Sequence, residues 1–318
     1  MKTKILSIVL AIALIFSVTQ VVAFADEKVE INVYFAASSD SIIVEPEILT
    51  VYDGIAEDYG YTVSSVDHNS VPVNDVTVLD VLVAAHVEYY GSEFTSETAT
   101  DYLSVSGGYL QKAFGASAFA SGFTVNNKVP HDDIEQAYGY TGYASDTACV
   151  EDGDFVSFFF YQDSKTYLDV LGNFGTVEAT LTPSESITYT LTGYCAAYYG
   201  CSKDEVIEEK TETLTDVDVF MKPFGSDEAF VSVGTTDENG EITLSFEETG
   251  DYVIYATGET ESESPIIYTW NIIHVVDDAP DAPTLFDKLA SFFDISFTFI
   301  IRAIKIVFKY ITDIINLF

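Results

Sequence analysis

Thr77-Val-Leu-Asp-Val-Leu-Val-Ala-Ala-His-Val-Glu-Tyr-Tyr-Gly91 is the clearest helical stretch of the chain. Thr77 and Asp80 have the spacing of a capping box, in which hydroxyl and carboxylate satisfy each other's backbone N–H groups; Asp is a weaker partner there than Glu. Val78, Leu79, Leu82, Val83 and His86 then recur at helical spacing, and Gly91 supplies a C-terminal stop. Val87, Tyr89 and Tyr90 complete a face expected to lie on a sheet. His86 sits near that face and reads as a hydrogen-bonded core or rim histidine rather than a ligand.

The flanks read as strands. Val29, Ile31, Val33 and Phe35 point one way with mostly polar residues between them, which is period-two patterning. A second extended run covers Ile42 to Val51, where Pro46 marks an edge or bulge position. Tyr61 to Val66 reads as another short strand. Beyond the helix, a Ser/Thr/Glu-rich loop leads to Gly107-Gly-Tyr-Leu110 and a Gly/Ala/Ser/Phe segment from Ala113 to Phe123. Thr124-Val-Asn-Asn-Lys128 predicts a strand entering a tight turn, because Asn tolerates left-handed backbone. Glu151 to Asp154 is a turn, and Phe155-Val-Ser-Phe-Phe-Phe-Tyr161 is a strongly hydrophobic strand behind it.

That order, with Thr77-Val-Leu-Asp-Val-Leu82, Gly107-Gly-Tyr-Leu110, Phe123-Thr-Val-Asn-Asn-Lys-Val-Pro130 and Glu151-Asp-Gly-Asp-Phe-Val-Ser-Phe158, resembles a known family. It is similar to the domain of unknown function related to the C-terminal domain of transcobalamin, which recurs in secreted and wall-associated proteins of Gram-positive bacteria. The resemblance covers residues 28–172. It departs from the family at Ala116 to Phe123, where Trp-containing aromatic residues usually stand, and at Asn127, which replaces a turn glycine. It implies a small α+β domain over 26–173, β-grasp-like, with one helix packed on a mostly antiparallel sheet. No cofactor is expected.

From Val177 the texture changes to short strands at regular spacing: Glu178–Leu181, Ile187–Thr192, Thr213–Met221, Ala229–Gly234, Ile242–Phe246, Tyr252–Thr257 and Ile266–Val276. Asp237-Glu-Asn-Gly240 reads as a hairpin turn. Its acidic cluster suits turn chemistry first and calcium second. Thr249-Gly-Asp-Tyr252 looks like a tyrosine corner, in which the phenol bonds back to nearby backbone. Residues 174–278 thus resemble the immunoglobulin-like β-sandwich repeats of bacterial surface proteins, and the chain as a whole is mainly β with an α+β first part.

Both ends carry their own signals. Lys2 and Lys4, the apolar run Ile5 to Phe16 and Ala23-Phe-Ala25 form a signal-peptide pattern over 1–25. An uncleaved membrane anchor is the competing reading. Cleavage before Asp26 is expected, and no cysteine follows the apolar run. At the other end, Pro280 and Pro283 stiffen a linker over 279–284. Residues 285–318 follow as a long helix, apolar except for one stripe that includes Arg302, Lys305 and Lys309. That cationic stripe suits an interfacial helix facing lipid headgroups. Docking or self-association, and a true membrane span, are the alternatives.

Composition bounds the function. With 51 acidic against 13 basic residues and a formal charge of -38, the surface repels phosphate backbones, so nucleic acid is excluded as a partner. Disorder does not explain the charge, because the chain is 48% hydrophobic with 21 Tyr and 23 Phe. Of three cysteines, Cys195 and Cys201 are spaced to close a small disulfide loop, which leaves Cys149 odd and expected to be buried; three buried free thiols are the alternative. His68, His86, His131 and His274 are scattered over different elements, and no nucleophile elbow or phosphate cradle is present. His131-Asp-Asp133 reads as a solvated loop rather than a metal site.

The expectation is therefore a non-catalytic, exported cell-surface binding or adhesion protein, held near the membrane by residues 285–318. Its ligand would be an extracellular glycan or peptide meeting Phe114, Phe119, Phe123, Tyr138, Tyr140 and Tyr143, since exposed aromatic rings bring large contact areas. A structural spacer of the cell envelope, self-associating through the C-terminal helix, is the alternative. Exposure of those rings separates the two readings.

Overall fold

The structure, a computed structural model, describes residues 29–73, 75–137, 139–196 and 202–277. The expected export segment 1–25, the expected linker 279–284, residues 285–318 with Arg302, Lys305 and Lys309, Tyr138 and Cys201 lie outside the described residues.

The first unit is built on a four-stranded mixed sheet. Strands β1 (Glu30–Ser38) and β2 (Ile42–Tyr52) form an antiparallel hairpin. The chain then runs through α1 (Ile55–Asp58), α2 (Val78–Tyr90) and α3 (Ala99–Tyr102). A small sheet follows, made of β3 (Ser104–Ser106), β4 (Tyr109–Ala113) and β5 (Ala116–Ser117). Strands β6 (Ser121–Val125) and β7 (Phe155–Phe160) return to the main sheet, whose order is β2-β1-β7-β6 with β1 and β7 parallel at its centre. Pro46 falls within the bulge of the edge strand β2, where the ladder slips between Phe35 and Ala37.

Sequence chemistry explains the placement of α2. Thr77 accepts from the Asp80 N–H at 3.2 Å, and the Asp80 carboxylate accepts the Thr77 N–H at 2.8 Å, which completes the capping box. The second Asp80 oxygen accepts the Ala56 N–H at 3.0 Å, so the same buried side chain fastens α1 to α2. Leu79, Leu82 and Val83 then press on Val33, Phe35, Val156 and Phe158. Tyr61 to Val66 is not a strand. Its backbone makes an isolated bridge of Val66 to Pro72, with the Val73 N–H on the Ser65 carbonyl at 3.1 Å. The Tyr61 hydroxyl donates to the Leu103 carbonyl at 2.7 Å and the Ser64 N–H to Asp146 at 3.2 Å, so side chains supply the remaining anchors.

The second unit is a β-sandwich. Its strands are β8 (Val170–Asn173), β9 (Glu178–Leu181), β10 (Ser186–Thr190), β11 (Thr192–Cys195), β12 (Glu212–Thr213), β13 (Asp218–Pro223), β14 (Val231–Thr235), β15 (Glu241–Ser245), β16 (Gly250–Glu259) and β17 (Pro265–Val275). A short helix, α4 (Asp204–Lys210), lies between β11 and β12. The larger sheet runs β12-β11-β8-β17-β16-β13-β14, with β9 also on β17, and β10 pairs with β15 in the facing layer. Tyr189, Leu191, Ile242 and Leu244 meet Val219, Ile254 and Ile273 in the shared core. The Tyr252 hydroxyl donates to the Glu248 carbonyl at 3.2 Å, the back-bond expected of a tyrosine corner.

Three sequence expectations change here. β8, placed at the end of the first unit by the boundary at 173, hydrogen-bonds within the second unit's sheet instead. The run Thr213–Met221 is interrupted at Asp216, which has a φ of 58, so it yields two strands. Asp237–Gly240 is a turn with Gly240 at φ 72, but β14 and β15 belong to different layers, so it is a corner between sheets rather than a hairpin.

β7 explains its own composition. Val156 and Phe158 face α2, while Phe155 and Phe159 face the second unit. Both faces of this central strand are buried, and alternation is lost for that reason. Phe155 and Ala36 share a cluster with Val253, Tyr255, Trp270 and Ile272, and Phe159 shares one with Leu171, Ala196 and Ile267. At one margin of this interface, Lys222 of β13 pairs with Glu45 of β2 and donates to the Ser226 carbonyl at 2.9 Å.

Candidate functional site

A groove of ≈ 590 Å³ opens beside β6, where the two units meet. One wall is the β3–β5 sheet, through Gly108, Tyr109 and Leu110, continued by Ala118 and Phe119. Opposite stand Val129, Tyr140 and Tyr143 from the loop after β6. Ser121, Gly122 and Phe123 form the edge between them, Phe159 and Tyr161 lie behind, and Ala196 and Ser202 come from the second unit.

Backbone chemistry sets this shape. Gly108 has a φ of +77, and a Cβ there would lie 2.0 Å from an Asp146 oxygen. Only glycine permits both the turn and that approach. The Gly108 carbonyl accepts the Ser145 N–H at 3.1 Å and the Ser145 hydroxyl at 2.8 Å, which ties the wall to the opposite loop. A Cβ on Gly122 would meet the Phe159 ring at 2.6 Å, so the missing side chain is what lets that ring cover the strand.

The loop bearing Tyr140 and Tyr143 is pinned from below. His68 Nε2 lies 2.7 Å from Asp132 Oδ2, and the Asn69 amide donates to the same oxygen at 3.0 Å. Oδ1 accepts the Thr141 and Ile134 N–H groups at 3.2 and 3.3 Å. Hydrogen bonds from Asn69 first and His68 second hold the Asp132 carboxyl down to about 2, so it stays ionised. His131 stacks on Tyr140 at 4.5 Å and aims Nδ1 at the Asp132 carbonyl. The polar groups of His131-Asp-Asp133 thus serve loop structure, with Asp132 buried. Burial raises the Tyr143 phenol above its ordinary value, with Asp67, Asp132 and Asp133 adding to the effect.

Of the expected ligand aromatics, the groove brings together Phe119, Phe123, Tyr140 and Tyr143. Phe119 is 74% exposed at its mouth, whereas Phe123 and Tyr143 are half-buried against the first core. Phe114 is not in the groove. It stacks on His86 at 4.2 Å, and its own N–H donates to His86 Nε2 at 2.9 Å. Sequence reading missed Tyr109, 71% exposed on the same wall as Phe119, although Gly107-Gly108 immediately before it signals a presented side chain.

Cys195 places its thiol 3.7 Å from the Tyr167 carbonyl, while its expected partner Cys201 falls outside the described residues. Cys149, expected to be buried, is exposed. Among the described residues, no group of three His, Cys, Asp or Glu side chains is arranged to hold a metal, and no helix is long and apolar enough to cross a membrane.

No family model matches this chain, and no curated protein matches it. Two of the solved structures similar to it each match about a third of the chain. The fibronectin type III domain derived from human KIAA0970 protein is 20% identical over 32% of this chain and 72% of that one, with a TM-score of 0.23. The superoxide reductase (neelaredoxin) of Ignicoccus hospitalis is 9% identical over 30% and 73%, with a TM-score of 0.19. Likenesses this distant assign neither a family nor an activity.

Proposed function

We propose that the chain is a non-catalytic binding protein of the cell surface, exported by residues 1–25 and held near the membrane by the cationic helix 285–318. Its ligand site is the aromatic groove beside β6. The observation that carries this reading is the exposure of Phe119 and Tyr109 along one wall of the groove, because solvent-exposed rings at a concave site are costly unless something covers them. The β2-β1-β7-β6 order, with a parallel central pair and α2 on one face, supports a β-grasp-like first unit akin to the transcobalamin C-terminal-like domains. The two-layer strand arrangement and the Tyr252 back-bond support an immunoglobulin-like second unit.

One observation favours the spacer reading. Burial of Phe155 and Trp270 between the units makes for a stiff body, as an envelope spacer requires. The full-length chain on a combined glycan and peptide array separates the two. Binding to a defined class of probe is expected, and a uniformly blank array would leave the spacer.

A further inference from the structure

The backbone of the groove specifies what kind of molecule fills it. Among the described residues, β6 pairs only with β7, in antiparallel register from Ser121↔Phe160 to Val125↔Val156. The Tyr161 N–H donates to the Ala120 carbonyl at 2.9 Å, and the Asn126 N–H to the Phe155 carbonyl at 2.8 Å. Those two bonds put the hydrogen-bonded pairs of the ladder at Ala120, Gly122, Thr124 and Asn126. Ser121, Phe123 and Val125 therefore turn their N–H and C=O groups away from β7.

At one end this outer edge is closed. Asn126 and Asn127, with φ of 52 and 60, fold Lys128 back so that it and Val125 exchange bonds at 2.9 and 3.1 Å. Ser121 and Phe123 have no such cover. Among the described residues their backbone N–H and C=O groups have no hydrogen-bond partner, and both residues line the groove.

We infer that the groove takes an extended peptide, which adds to the outer edge of β6 as a further strand. This rests on the groove being the ligand site, and it chooses between the two ligand classes left open above. Strand addition supplies what the edge lacks, two donors and two acceptors at a two-residue repeat. A glycan finds only hydroxyl side chains here. Among the described residues no carboxylate, amide or guanidinium side chain lines the groove. Its polar side chains are the hydroxyls of Tyr109, Tyr140, Tyr143, Tyr161 and Ser202, with those of Ser121 and Ser145 already donating to the Ala118 and Gly108 carbonyls. Aromatic walls instead suit a bulky apolar side chain between Phe119, Tyr140 and Tyr143. Charge complementarity sets the flanks: the chain carries -38, and Asp133 is exposed on the loop bearing Tyr140, so the peptide is basic on either side of its apolar residue.

The test titrates the full-length chain with a library of capped heptapeptides, each with a central aromatic residue and Lys at both ends. The tightest binder is then N-methylated one amide at a time. Methylation at alternate amides is expected to weaken binding about tenfold and at the intervening ones to leave it unchanged, because only alternate amides face β6. Phe119→Ala serves as a control for the groove itself. Equal sensitivity at every amide, or binding of glycans with no peptide bound, overturns strand addition; if Phe119→Ala then still weakens binding, the groove remains the site. Peptide binding that Phe119→Ala leaves untouched overturns both.

Discussion

His86 shows how far a single residue can be read. Helical spacing placed it near a packed face, and in the structure it is fully buried with both ring nitrogens used. Nδ1 lies 2.7 Å from the Leu82 carbonyl and donates to it, so Nε2 is the acceptor for the Phe114 N–H. Burial pushes its pKa from 6.5 down to about 4. The unfolded chain therefore takes a proton first as pH falls, and folding loses stability from about pH 6.5 until the native residue also titrates near 4. The whole loss is about 3 kcal/mol. His86→Gln cannot titrate, so the stability gap between wild type and variant, from urea unfolding at pH 7 and pH 4, should narrow by about that amount. Parallel curves would show that His86 is not held neutral. The partner of this histidine was not legible: Phe114 reads as a loop aromatic, and only the fold brings its N–H across 28 residues to the ring.

At the scale of elements, helix α2 and the tight Asn126–Asn127 turn were legible because their signals are local. Asp80 was under-read as a weak cap. Its shortness keeps the carboxylate close to Thr77, and its second oxygen satisfies Ala56 in another helix. Replacing it by Ala leaves two buried N–H groups without acceptors, so Asp80→Ala should cost about 3 kcal/mol in denaturant unfolding, against about 1 for Thr77→Ala. Equal costs would mean that the link to α1 contributes nothing. β7 was legible as a strand but not as a boundary. Its unbroken apolar run is what burial on both faces produces, yet a sequence cannot name the second surface when it comes from strands a hundred residues onward. The corner at Asp237–Gly240 escaped for the same reason. Turn chemistry is local, but whether the flanking strands share a sheet is decided by β10 and β13.

Over the whole molecule, the two units form a continuous body whose interface places β7 between two cores. That placement creates the groove, because Ala196 and Ser202 of the second unit complete walls begun by the first. The aromatic composition pointed to a binding surface, and four of the six rings chosen from sequence do converge there. Tyr109 and the free edge of β6 were invisible to composition, since one depends on a turn and the other on strand order. The most direct test of the central claim is calorimetric titration of the full-length chain and its Phe119→Ala variant with the tightest ligand from the array. An affinity loss of about thirtyfold is predicted, from roughly 2 kcal/mol of lost aromatic contact, with the unfolding midpoint unchanged because Phe119 is exposed. Equal affinities for the two proteins would contradict the assignment of the groove.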